Sequence, residues 1–181
     1  MSFPIGSWPD LPAALIAEVK AFVRIDHDAD DDAIDTFLRS AAGLCEDFTG
    51  QMLIVRTVTD MLPAWQAWQK LKRLPVQAIV SVEAVEADGS SSLLAVDDYA
   101  VDIDSEGLGW VRLREESDAS RMRIQYSCGL AVDWDELPTG LRQGIVRLAG
   151  YLYANRDGVD VGGPPRAVTA LWRPYRRMRI A

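Results

Sequence analysis

The chain is poor in the residues from which most catalytic and metal centres are built. It has one histidine, His27, and two cysteines, Cys45 and Cys128, among 181 residues. Two thiols and one imidazole cannot complete a structural zinc site unaided. A hydrolytic triad would have to run through His27, yet no G-x-S-x-G turn is present and neither cysteine sits in a nucleophile signature. The phosphate-cradling strings G-x-x-x-x-G-K-[ST] and G-x-G-x-x-G are missing too, and Gly107-Leu108-Gly109 reads as a turn. No apolar run approaches the roughly 20 residues of a membrane span. Met1–Gly6 lacks the charged and apolar regions of a secretory leader. The expectation is a cytoplasmic product with no membrane partner, no cofactor, no metal and no catalytic residues. Both cysteines read as reduced, buried thiols.

Acids are also missing from the end of the chain. The last is Asp160, after which come Arg166, Arg173, Arg176, Arg177 and Arg179. The net charge of -8 is therefore unevenly spread: residues 1–160 hold 14 of the 19 basic residues beside all 27 acids. Such a body avoids nucleic acid, whereas such a tail seeks something acidic.

What is present is a clear helical pattern near the start. Ile34, Phe37, Leu38, Ala41, Ala42, Cys45 and Phe48 recur at the spacing of an amphipathic helix. That helix spans about 31–49, with acids at its start and Gly50 at its stop. An earlier helix spans about 10–23, with Asp10 as N-cap and Leu11, Leu15, Val19 and Phe22, or alternatively Ile16 and Val23, inward. Between them lies an acidic turn. An EF-hand begun at Asp26 would need glycine at Asp31 and glutamate at Phe37; one begun at Asp28 meets Ala33 and Arg39. The acids read instead as helix-start residues.

From Met52 the pattern turns to β. Runs near 52–62, 76–85, 92–96, 99–103, 109–114 and 121–127 are separated by Pro63, Asp88-Gly89, Glu106-Gly107 and Ser117–Ser120. Trp65, Trp68 and Leu71 lie between strands at helical or loop spacing. Helix returns over about 138–157, with Leu141, Ile145, Leu148 and Leu152 inward. Gly162-Gly163-Pro164-Pro165 then breaks the chain. Helices grouped around grouped strands predict an α+β fold. It comprises a small bundle of two N-terminal helices plus one C-terminal helix, an antiparallel β insertion over about 52–128, and an extended C-terminal tail. Residues 1–163 read as a single domain and 164–181 as a basic docking tail.

In the tail, Val168, Leu171, Trp172, Tyr175 and Met178 interleave with arginine. Three readings are open: contact with nucleic acid, folding back on the acidic body, or docking into a groove on a protein partner. The Trp, Arg and Tyr content suits the last.

Three stretches resemble the phage head–tail connector (adaptor) family, including gene transfer agent adaptors. They are the helix pair within Val19–Gly50, the helix LRQGIVRLAGYLYANRDG (Leu141–Gly158) and the ending LWRPYRRMRI (Leu171–Ile180). The strand segment with PVQAIVSV and DDYAVD is similar to members that carry a β insertion. The resemblance implies a structural adaptor in the neck of a phage-like particle. It would form a homo-oligomeric ring, commonly a dodecamer, on the portal protein. It would link the portal to the next neck or tail (stopper) protein while DNA passes through the channel without specific binding. The free chain would be a monomer, made in the host cytoplasm. Trp172, Arg173, Tyr175, Arg176 and Arg177 are the expected portal contacts. Two alternatives are a DNA-packaging or DNA-binding accessory protein and an enzyme using paired carboxylates, although nothing selects a carboxylate pair.

Overall fold

Asp31 and Asp32 occupy the first turn of a 19-residue helix, where the exposed amide ends favour negative charge. The computed structural model describes residues 10–156 and 163–177. Its helices are α1 (Ala13–Val23), α2 (Asp31–Thr49), α3 (Thr139–Ala154) and α4 (Arg166–Trp172). Its strands are β1 (Arg56–Pro63), β2 (Gln69–Lys70), β3 (Val76–Val85), β4 (Ser91–Leu93), β5 (Tyr99–Ile103), β6 (Gly109–Leu113) and β7 (Arg121–Cys128). The architecture is α+β. The described chain has two compact units: Ile54–Leu130, and residues 10–53 with 131–156 and 163–177. The strands close an interior of their own, which is why the insertion stands as a unit.

The helical unit is centred on α2 and α3. Ile34, Leu38, Ala41, Ala42 and Cys45 are buried on α2; Leu141, Ile145, Leu148 and Ala149 are buried on α3. The α2 periodicity thus holds, with Phe37 and Phe48 half-buried at its edges. Gly50 ends α2 in the left-handed region (φ 72°), its N–H donating to the Glu46 carbonyl at 2.8 Å. Helix α1 starts after Pro12 rather than at Asp10, because Pro12 is extended (ψ 139°). It buries Leu15 and Val19, but Phe22 is 53% exposed. The Phe22 ring instead lies beside Gly150, where an added Cβ would come within 2.6 Å of it.

The acidic turn is tied to α1 by one cation. Lys20 Nζ reaches Asp28 at 2.5 Å and Asp31 at 2.9 Å. The hydrogen bond from Lys20, helped by its charge, holds the Asp28 carboxyl below its ordinary 3.8; the same contacts raise Lys20 above 10.5.

In the β unit, one sheet has the order β1-β7-β3-β4 and the other β2-β6-β5, with every pairing antiparallel. Strand β7 alternates cleanly: Met122, Ile124, Tyr126 and Cys128 are buried and the residues between them are not. Opposite them stand Val58 and Leu62 of β1 and Val82 and Ala84 of β3. The register of β3 on β7 shifts twice, between Val76 and Ala78 and between Ile79 and Ser81. Each irregularity adds a residue to β3 and reverses its alternation. This is why Val80, although apolar, is 58% exposed. Trp65 and Trp68 form no helix and are 59% and 45% exposed; the segment passes through short β2 to bury Leu71.

A buried carboxylate pins this unit. Asp60 is 6% exposed and its Oδ2 accepts from the Lys72 amide at 2.8 Å and the Tyr126 hydroxyl at 3.0 Å. The Tyr126 oxygen in turn accepts from the Arg73 amide at 3.0 Å. Burial and the neighbouring carboxylate push the Tyr126 hydroxyl up, keeping it a donor.

Asp60→Ala leaves two donors without their acceptor and should cost about 1–3 kcal/mol, read from urea unfolding. The Asp28 contribution should be present above about pH 3.8 and lost as pH falls through the lowered folded value. The melting difference between the unaltered chain and Asp28→Asn should therefore be flat above about pH 5 and shrink below it. A difference that grows on acidification would contradict the lysine clamp.

Candidate docking surface

Pro165 is extended (ψ 147°) and is followed by one short helix, α4. The C-terminal segment is therefore not an extended tail among the described residues. The reason is Trp172. Its side chain is 0% exposed, and a Cβ added at Gly144 on α3 would lie 2.1 Å from its Nε1. The indole thus fills a gap that only a glycine on α3 leaves open. Its N–H donates to the Leu141 carbonyl at 3.3 Å, and its ring meets Phe48 of α2 at 5.9 Å. Val168, one turn earlier, is 2% exposed.

Beyond Trp172 a 3₁₀ turn (Arg173–Tyr175) carries the chain to the end of α2. Tyr175 packs over Gly140, and its carbonyl accepts from Gln51 Nε2 at 2.6 Å. The Arg177 amide donates to the Thr49 carbonyl at 2.9 Å, and Arg177 Nε to Gln51 Oε1 at 3.2 Å. The Arg176 guanidinium lies 5.6 Å from the Phe48 ring centre. The segment is strapped across the helical unit by packing and by backbone hydrogen bonds.

The five residues expected to contact a portal are thus separated by their burial. Trp172 is not a surface anchor of the free chain; it is the interior residue that fixes the segment. Tyr175 and Arg177 are half-buried and hold the strap. Arg173 and Arg176 are exposed, as is Arg166 at the start of α4. Met178, Arg179 and Ile180 lie outside the described residues, as do Gly158 and Gly162. The sequence reading missed Gln51, whose amide bridges Tyr175 and Arg177. A lone glutamine after a helix-ending glycine carries no periodic signal.

Beside α4, an apolar cleft of about 500 Å³ is lined by Phe22, Val23, Gly150, Tyr151, Pro165 and Val168. It holds no convergent acid and base. His27 is exposed in the acidic turn. Cys45 and Cys128 are buried free thiols, and burial pushes the Cys45 thiol up, which makes it a poor nucleophile. Among the described residues no group of three or more His, Cys, Asp or Glu is placed to hold a metal ion. No described helix is long and apolar enough to cross a membrane.

Trp172→Ala should cost about 3–5 kcal/mol in the helical unit, and removing residues 164–181 should destabilise it at least as much. Circular dichroism melts of both variants measure this. A truncated chain that melts with the unaltered one would show the segment to be detachable after all.

Residues 13–88 match the family of phage gp6-like head–tail connector proteins. The whole chain is similar to a chain in the neck of an empty GTA particle computed with C6 symmetry, with 24% identity and a TM-score of 0.78, covering 99% of this chain and 98% of that one. It is similar to a chain in the virion of a native gene transfer agent particle, at 24% identity and TM-score 0.75, again covering 99% and 98%. A chain in the neck of the native GTA particle computed with C12 symmetry gives 25%, 0.74 and the same coverage. No curated protein matches the chain. The resemblance read from the helix pair is therefore borne out: the chain carries the gp6-like head–tail connector pattern over residues 13–88 and, along nearly its whole length, the fold of a chain found in gene transfer agent necks.

Proposed function

We propose that the protein is a head–tail connector that assembles as a ring, commonly of twelve copies, on the portal of a phage or gene-transfer-agent-like particle. It joins the portal to the next neck protein and leaves a channel for DNA. The observation that carries this reading is the correspondence of nearly the entire chain to one in a gene transfer agent neck. The net charge of -8 also suits a channel component, because carboxylates repel the phosphate backbone and keep DNA from sticking in transit. Assembly takes place in the host cytoplasm, and the product resides in the particle neck.

In this reading Arg173 and Arg176, with the chain beyond Arg177, make the portal contact. Trp172, Tyr175 and Arg177 set where that contact is presented. The test is binding to the portal ring encoded with this chain, read by pull-down and by imaging of the complex. Arg173→Glu with Arg176→Glu should bind at least tenfold more weakly while melting like the unaltered chain. Full binding by that variant moves the docking face elsewhere. No binding by the unaltered chain rejects the adaptor reading.

A further inference from the structure

The outer face of the β2-β6-β5 sheet has the make-up of a binding surface. On β6, Val111 and Leu113 are 0% and 3% exposed, so alternation turns Trp110 and Arg112 outward. The register sets Lys70 on one side of Trp110 and Asp102 on the other. The Arg112 guanidinium lies 5.0 Å from the Trp68 ring centre, and the Lys70 ammonium 6.0 Å from that of Trp110. Trp68 is 45% exposed, and Trp65, whose carbonyl accepts from the Leu113 amide, is 59% exposed. Among the described residues neither Lys70 nor Arg112 is within ion-pair distance of a carboxylate. Arg112 Nε is buried without a hydrogen-bond partner.

Two tryptophans and two cations without carboxylate partners, interleaved on one small sheet, form the combination enriched at interface hot spots. Exposed tryptophan is costly to leave in water, and a cation over its ring gains most when water is excluded. A phosphate backbone fits this face poorly, because Asp102 flanks Trp110 and Glu115-Glu116 follow Arg114. A short acidic protein segment fits it well. The chain itself carries one. Residues 9–53 hold ten acids against three bases. In the acidic turn, Asp28 and Asp31 are taken by Lys20, whereas Asp26 and Asp32 are exposed and form no ion pair among the described residues.

Resting on the ring reading above, we propose that the Trp68, Lys70, Trp110 and Arg112 face of one copy binds the acidic turn Asp26–Asp32 of a second copy. The two patches differ, so the contact is head-to-tail, and contacts of that kind build a ring when the rotation between copies closes.

Charge reversal tests the contact directly. The proteins are the unaltered chain, K70E/R112E and D26K/D32K, followed by sedimentation velocity alone and by imaging on the portal ring. Each variant alone sets like charges across the contact and should self-associate at least tenfold more weakly. An equimolar mixture should regain association, since every joint then pairs opposite charges, and that recovery also shows that both variants fold. Trp68→Ala, which keeps the charges, should weaken association at least fivefold and reports independently should a reversal variant melt early. The proposal is overturned if the variants associate like the unaltered chain, or if variants with unchanged melting fail to recover on mixing. An unaltered chain that stays monomeric both alone and on the portal also overturns it. Single, unassociated copies on the portal would keep the adaptor reading and sink this contact; reversal-sensitive association without portal binding would do the opposite. Binding of a labelled oligothymidylate that W68A/W110A abolishes would assign the face to single-stranded nucleic acid instead.

Discussion

The Trp172 indole, set over Gly144 of α3 and against Phe48 of α2, is the contact on which the helical unit depends. It joins three elements that are far apart in sequence, and it has no substitute. Among the described residues after it only Pro174 and Tyr175 are uncharged, and α4 has only seven residues, too few to hold a helix by its own hydrogen bonds. Packing therefore makes the helix rather than the reverse. Once the indole is seated, the Tyr175 carbonyl and the Arg177 amide are brought to Gln51 and Thr49, where each finds its partner. A surface of arginines is thereby carried on a rigid support.

That dependence explains which parts were legible beforehand. Helix α2 was clear because its apolar residues repeat from Ile34 to Phe48, about four turns, and its ends are marked by acids and by Gly50. The strands were readable from alternation and turn residues, except where bulges in β3 reverse the alternation and expose Val80. The seating of Trp172 was not legible, because one tryptophan after a Gly-Pro break has no period to report its face. One signal did exist: Gly140 and Gly144 are spaced one turn apart on α3, and small residues on a buried helix imply a large neighbour. Of the expected contact residues, the arginines at 173 and 176 lie where the composition suggested, at the surface. Trp172 does not, since its chemistry suits an interior as well as an interface.

Phe22 and Trp68 illustrate a related ambiguity. Phe22 reads as an inward residue of its helix and Trp68 as a residue between strands; both stand at the surface, each beside a residue that accounts for it. Phe22 covers Gly150; Trp68 covers the Arg112 guanidinium. In each case an aromatic ring shields something other than aliphatic core. Hydrophobicity alone does not separate these roles, because a ring face serves a glycine gap or a cation as well as a methyl group.

Strapping has an energetic consequence for a docking segment. A free tail of this length would lose the freedom of each ordered residue on binding, at about 1–2 kcal/mol per residue for the backbone. Here residues 165–177 are ordered within the chain, and the stabilisation from Val168 and Trp172 offsets that loss before any partner arrives. Docking through Arg173 and Arg176 would then spend little on ordering and keep more of its contact energy as affinity. The same logic limits the segment. A partner that needed Trp172 itself would have to empty the space over Gly144, exposing Phe48 and the α3 groove, and the contact would have to exceed the loss of a buried tryptophan. Attachment through the exposed arginines avoids that loss, so the order of the strap and the placement of its charges favour one mode of engagement over the other.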